Sequence, residues 1–384
     1  MKKAIVRLTA LSIALGAAAS LALAAAQSAQ GSPALIKGIF DEAETIGRPE
    51  KTFPLLRTLH TEAVRVNLVW SDVAKRRPLT PADPADKAYR WEGYDRMVEY
   101  AARYRIKVVF AIVGTPGWAN GGKARTYAPR KTLDLRNFAY AAATRYSGSF
   151  VPDETNADPK PLPAVRYWLA WNEPNSPVFL RPQYKRVQGG WRIESAYQYA
   201  RICNAIQAGI RATVLNGEKI ACGVTAPRGN NAPQSSRASV SPLAFLRAMK
   251  RYGARGFDAY AHHPYYGSRN ETPGTRPKSD TAITLGNIND LVSELTRLYG
   301  KKRLWITEYG YQTTPQDKYF GVSYKNQAAY LKQAFAIARR HPRIDMMLWF
   351  LIRDQQAVRY WQSGFYTHGR KAKPSLIAFK NIRP

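Results

Sequence analysis

Lys107-Val108-Val109-Phe110-Ala111-Ile112-Val113 runs directly into Gly114-Thr115-Pro116-Gly117-Trp118-Ala119-Asn120-Gly121. Seven residues rich in β-branched and aromatic side chains, with almost no polar alternation, suit a strand buried on both faces, as in a parallel sheet. The glycine- and proline-rich turn that follows is built around one tryptophan. Upstream, residues 91–104 place Tyr94, Met97, Val98, Ala101 and Ala102 on one helical stripe, and downstream residues 135–146 fit the same period. Helix, buried strand, decorated loop and helix make the repeating unit of an α/β protein.

The unit recurs about eight times along the chain. The spacing predicts strands at 35–40, 63–69, 107–113, 165–171, 219–224, 256–262, 303–307 and 345–350. Further helices are predicted at 195–214, 243–252, 285–299 and 323–340. Eight strand–helix units are the number that closes a barrel, so the expected fold is α/β, a single (β/α)8 TIM barrel. An open doubly wound sheet would share the alternation, but no glycine-rich phosphate loop follows the first strand. No linker or low-complexity segment divides the chain. Residues 225–241, rich in serine, asparagine and proline, read as a long surface loop.

Composition bounds the function classes. Of 384 residues, 45% are hydrophobic, enough for a full packed core, which excludes a disordered chain. Lysine plus arginine total 58 against 27 acids, a formal charge of +31 that invites a polyanion reading. The basic residues are spread over most helices, however, and the tight groups Lys75-Arg76-Arg77 and Lys301-Lys302-Arg303 are short. With no nucleic-acid motif of recognised type, no specific nucleic-acid partner is expected.

Residues 1–26 read as an export signal. Lys2, Lys3 and Arg7 give a positive start, residues 8–26 carry no charge, and Ala24-Ala25-Ala26 supplies small residues for cleavage. A retained membrane anchor is the alternative, but the run is rich in alanine, glycine and serine and only weakly hydrophobic. Cleavage removes three positive charges, takes the formal charge from +31 to +28, and leaves no membrane span. The expected location is therefore secreted or associated with the cell envelope. Two cysteines, Cys203 and Cys222, exclude a disulfide scaffold; a single bridge and two buried thiols stay equally open.

The chemistry lies at two strand ends. Trp171-Asn172-Glu173-Pro174-Asn175 ends the fourth predicted strand, and Trp305-Ile306-Thr307-Glu308-Tyr309-Gly310 ends the seventh. In a barrel both would open on the carboxyl face, where active sites lie. Two carboxylates facing each other across a cleft are what glycosidic cleavage requires. One must be protonated to donate to the leaving oxygen, and the other ionised to attack or stabilise the sugar. A lone glutamate there would be an ordinary solvated or ion-paired residue.

On these residues the chain resembles clan A glycoside hydrolases, (β/α)8 retaining glycosidases with glutamates on strands four and seven. The likeness covers roughly residues 33–384, with families 39 and 5 nearest. Asn172-Glu173-Pro174 matches the acid/base motif, and Glu308 the nucleophile. Arg65 matches the arginine that accompanies the nucleophile, His263-Pro264-Tyr265 the His-x-Tyr element, and Trp349 the tryptophan that floors the sugar site.

The resemblance implies that Arg65 holds Glu308 ionised and that Tyr265 orients it. It implies a pKa for Glu173 raised by burial and by the charge of Glu308, and an Asn172 that donates to the sugar 2-hydroxyl. Arg65 could instead be an ion pair within the barrel wall. His262, adjacent to His263, should point the other way and be structural. Trp118 and Trp349 are the preferred sugar-stacking pair. Of Trp70, Trp118, Trp191, Tyr266, Tyr311 and Trp361, about half should line the cleft. No cofactor is expected, and no metal, because no His/Cys/Asp cluster stands at ligand spacing. The expected substrate is a poly- or oligosaccharide, and the charge suits an acidic polysaccharide. The competing reading is a non-catalytic carbohydrate- or polyanion-binding barrel of the cell envelope.

Overall fold

The computed structural model describes residues 35–152, 155, 159–213, 217–315 and 317–382; the predicted leader, 1–26, lies outside them. Eight strands follow one another around a closed barrel: β1 (Ile36–Phe40), β2 (Ala63–Val69), β3 (Lys107–Val113), β4 (Tyr167–Ala170), β5 (Lys219–Thr225), β6 (Ala259–His262), β7 (Arg303–Tyr309) and β8 (Ile344–Phe350). Each pairs in parallel with its chain neighbours, and β8 closes on β1. Outside run α1 (Pro49–Thr58), α2 (Glu92–Arg103), α3 (Thr132–Arg145), α4 (Glu194–Ile210), α5 (Pro242–Arg251), α6 (Ile288–Tyr299), α7 (Tyr324–Arg340) and α8 (Pro374–Lys380). The expected (β/α)8 barrel is therefore the observed one. Among the described residues, no helix is long and apolar enough to cross a membrane.

The departures from expectation are local. β4 and β6 start later than predicted, at Tyr167 and Ala259, and β7 runs on to Tyr309. α1 escapes the helical pattern because Pro49 opens it and Pro54 lies inside it; α8 is only seven residues long. An antiparallel hairpin, Tyr184–Val187 with Gly190–Ile193, sits between β4 and α4. Its polar strands carry little of the apolar alternation that marks a strand in sequence.

Alternation along the strands sorts the core into two layers. Ala63, Val109, Ala111, Leu169, Ala221, Ala259, Ala261, Trp305, Met346 and Leu348 fill the barrel interior. Their neighbours, including Val64, Phe110, Trp168, Ile220, Tyr260 and Trp349, pack outward against the helices. Burial of each large side chain contributes about 2 kcal/mol. Gly38 is required by this packing: a Cβ there would lie 2.3 Å from the Leu348 side chain and 2.5 Å from the Ala63 carbonyl oxygen. Cys203 of α4 and Cys222 of β5 are bridged, with Cα atoms 6.1 Å apart, which resolves the alternative left open by the sequence.

Candidate active site

The site begins with a buried charge. Arg65, third of the seven residues of β2, shares the inward parity of Ala63 and is fully buried. Its Nη1 donates to Glu308 Oε1 at 2.7 Å and to the Thr307 carbonyl at 3.2 Å. Its Nη2 donates to Asn172 Oδ1 at 2.6 Å and Asn67 Oδ1 at 3.3 Å. The guanidinium carbon lies 4.4 Å from the centroid of the Phe40 ring, while Nε has no hydrogen-bond partner among the described residues. A planar fork can serve two oxygens on different strands at once, which a lysine ammonium cannot do in this geometry. A buried arginine is tolerable here because an opposite charge is bonded to it.

Glu173 is presented by an unusual backbone. Trp171 has φ 72° and Glu173 φ 37°, both in the left-handed region, which costs a non-glycine residue about 1 kcal/mol. The surroundings over-determine this turn. Trp171 Nε1 donates to the Phe179 carbonyl at 2.9 Å, and the Glu173 amide donates to the Val224 carbonyl at 2.8 Å. Asn175 donates to the carbonyls of Ala226 (3.2 Å) and Val240 (2.9 Å), and its Oδ1 accepts from the Ala226 amide at 2.8 Å. The loop read from sequence as a surface feature, 225–241, is thus clamped at both ends to the segment that carries Glu173.

Two further side chains link the carboxylates. Tyr265 donates to Glu308 Oε2 at 3.2 Å. Burial and the charge of Glu308 hold the phenol well above its ordinary pKa, so it stays a donor. His263 Nδ1 lies 2.9 Å from Glu173 Oε1, and Nε2 lies 3.0 Å from both Arg65 Nη1 and Thr307 Oγ1. Burial pushes the pKa of this imidazole down to about 3, the charge of Glu308 opposing and that of Arg65 reinforcing the fall. The ring is therefore neutral. Since Arg65 Nη1 can only donate, its approach assigns the lone pair to Nε2 and the proton to Nδ1, facing Glu173.

The two glutamates sit in different environments. Glu308, with its side chain 9% exposed, accepts from both Arg65 and Tyr265. Glu173 keeps 16% of its side chain accessible, yet burial raises its pKa to about 7, partly offset by Arg65. Burial is the leading cause of this rise. Ligand-capable atoms of Glu173, His263 and Glu308 lie within 4.8 Å of one another, a juxtaposition from three strands that chain spacing alone does not reveal. The Arg65 guanidinium already places positive charge beside Glu308.

Aromatic placement corrects one expectation. Trp349 does not floor the cleft: it is fully buried on the outward face of β8, with Nε1 bonded to the Ser363 carbonyl at 2.9 Å and its ring against Phe365. The inward parity of β8 belongs to Met346 and Leu348, hence to Phe350, an alternation already present in the sequence. Trp118 is half-buried in packing, Nε1 on the Ala74 carbonyl at 2.8 Å and the Arg77 guanidinium 4.5 Å from its ring centroid. Among the other aromatic candidates, Trp361 adjoins the site, its ring 4.8 Å from Tyr265 and 5.2 Å from Phe350. Trp70, Tyr266 and Tyr311 are buried, and Trp191 is exposed on the hairpin.

The loop bearing Trp361 is pinned by Lys373, whose Nζ reaches Asp354 Oδ1 (2.7 Å), Thr313 Oγ1 (2.9 Å) and the Gln362 carbonyl (3.1 Å). His262 points away from the cleft, bonded to Thr225 Oγ1 (2.8 Å) and the Ile283 carbonyl (3.0 Å), as a structural histidine should be. A third carboxylate, Glu42, follows β1, its Oε1 accepting the Asn67 amide at 2.6 Å. Burial raises its pKa, with Arg65 and Glu308 acting on it in opposite directions.

Residues 243–370 match the family described as glycosyl hydrolase catalytic core, a segment that holds His263, Tyr265, Glu308 and Trp361. No curated protein sequence matches the chain. Among solved structures, the fold resembles a family 39 glycoside hydrolase from the gut symbiont Bacteroides cellulosilyticus WH2, with TM-score 0.62 and 18% identity over 90% of this chain. This chain spans 63% of that enzyme's length. One of two fungal β-1,4-galactanases gives TM-score 0.58 at 14% identity, covering 90% of this chain and 99% of that one. A family 1 β-glucosidase from Thermotoga maritima gives 0.57 at 12%, covering 92% and 98%. Identities this low speak for the barrel alone. Residues 243–370 thus carry the pattern of a glycosyl hydrolase catalytic core, set in a barrel that glycosidases share.

Proposed function

We propose that the chain is a retaining glycoside hydrolase that cleaves an oligo- or polysaccharide by double displacement. The observation that carries this reading is the pairing of Glu173 and Glu308, with ligand-capable oxygens within 4.8 Å, in unequal environments. Retaining enzymes hold their carboxyls about 5–5.5 Å apart, whereas inverting ones leave about 6.5–9.5 Å for a water. Glu308, bonded to a guanidinium and a phenol, is suited to be the ionised nucleophile. Glu173, with its pKa near 7, is suited to hold a proton for the leaving oxygen.

In the first step a Glu308 oxygen bonds to the anomeric carbon as the glycosidic C–O bond breaks. The proton of Glu173 goes to the departing oxygen. In the second, ionised Glu173 takes a proton from water, whose oxygen attacks the anomeric carbon and releases Glu308. Because Asn172 Oδ1 is engaged by Arg65, its Nδ2 is the group left to donate to the sugar 2-hydroxyl. The leader-like residues 1–26 support action outside the cytoplasm, and the charge of +31 favours an acidic glycan.

A 2-fluoro glycoside of matching configuration, followed by peptide mass spectrometry, tests the assignment. Label on Glu308 is expected; label on another carboxylate overturns it. Glu173→Ala should keep the first step on substrates with good leaving groups and regain turnover with azide. Full activity of that variant on natural glycan would exclude Glu173 as the acid.

A further inference from the structure

We propose that the opposite, amino-terminal mouth of the barrel is a separate binding site for an anionic sugar chain, an oligouronate. The inward parity that delivers Arg65 at one end delivers Lys107, Tyr167, Lys219 and Arg303 at the other, each the first residue of its strand. Together with Lys301 and Lys302 they line a bowl of about 770 Å³. The interior layer of Leu169, Trp305 and Met346 separates this bowl from the cleft above, so the inference does not rest on the roles given to Glu173 and Glu308.

Charge in the bowl is unbalanced. Each carboxylate on its wall already has a donor. Glu62 accepts the Lys37 amide at 2.9 Å, and Asp258 accepts the Ile220 amide at 2.9 Å and Arg211 at 3.1 Å. Asp345 is paired with Arg303 at 2.8 Å. Among the described residues, none of Lys107, Lys219, Lys301 and Lys302 forms an ion pair with a carboxylate. The Lys302 ammonium lies 5.6 Å from the Phe257 ring centroid, which leaves those of Lys107, Lys219 and Lys301 to create a field that draws in anions, and their flexible stems suit repeated carboxylates rather than one fixed geometry. The floor selects for a sugar. The half-buried Tyr167 ring lies 5.7 Å from Trp305, an aromatic surface on which the C–H face of a pyranose can rest. Such a site would hold an acidic polymer without cutting it.

The test uses the full chain made inactive by Glu173→Gln and isothermal titration with a decagalacturonate at low salt. A neutral cello-oligosaccharide and a ten-nucleotide single-stranded DNA serve as competing probes. The combined Lys107→Glu, Lys219→Glu and Lys301→Glu variant should bind the uronate at least about ten-fold more weakly. A control with the same charge change, Lys87→Glu, Lys325→Glu and Lys332→Glu, should stay within about two-fold. Lys→Gln at the same three mouth positions should give an intermediate loss and guards against misfolding of the reversed variant. Equal losses in mouth and control variants, no loss in either, or absence of uronate binding would each overturn the proposal. So would equal or tighter binding of the neutral sugar or the DNA.

Discussion

Glu173 holds its proton to about pH 7 because its folded surroundings disfavour the charged form more than Arg65 favours it. The sign follows for stability: a raised folded pKa contributes stability that is full below about 4.5 and lost as pH rises through about 7. Glu173→Gln cannot ionise, so it should match the parent near pH 4.5 and exceed it by about 3 kcal/mol at pH 8. Urea denaturation at the two pH values measures this, and a difference independent of pH would refute it. In the active protein, kcat/KM should fall above about pH 7 as the acid loses its proton. Glu173 and Glu308 were readable in the sequence as carboxylates at predicted strand ends, where packing alone gives no reason for them, whereas Arg65 and Tyr265 were legible only through the resemblance. Glu42 was not readable, since one acid after a strand is ordinary. Trp349 was misleading: its type fits a sugar floor, but strand parity turns it to the helices.

Helices and strands explain why the motifs meet. The eight barrel strands were legible because each is an apolar run buried on both faces, whereas the Tyr184–Val187 and Gly190–Ile193 hairpin is polar and pairs only with itself. The bridge between α4 and β5 could not be read either way from two cysteines 19 residues apart. It closes a loop whose constraint on the unfolded chain is worth about 3 kcal/mol. Cys203→Ser with Cys222→Ser should therefore lower the thermal midpoint while leaving activity at 25 °C close to the parent, because neither sulfur borders the carboxylates. An unchanged midpoint, with or without reductant, would show that the bridge constrains little. The clamp of Asn175 on residues 226 and 240 works at the same scale, tying the loop after β5 to the turn that bends Glu173 into place.

Across the molecule, 58 lysines and arginines face 27 acids, which leaves the formal charge of +31. The functional reading rests on two of them, brought together only when the barrel is complete. Arg65 lies 243 positions before Glu308 and 107 before Asn172 in the chain, yet one guanidinium bonds both. Contacts of such separation make this a high-contact-order fold, in which loop closure precedes any reward from the contact. The cleft is consequently a late product of folding, and no half of the chain contains it. On dilution from urea, far-ultraviolet helicity should return in early phases, while turnover returns with the slowest one. Recovery of both at a single rate would show that closure is not the last event, and otherwise catalysis itself becomes the clock that times the joining of the barrel.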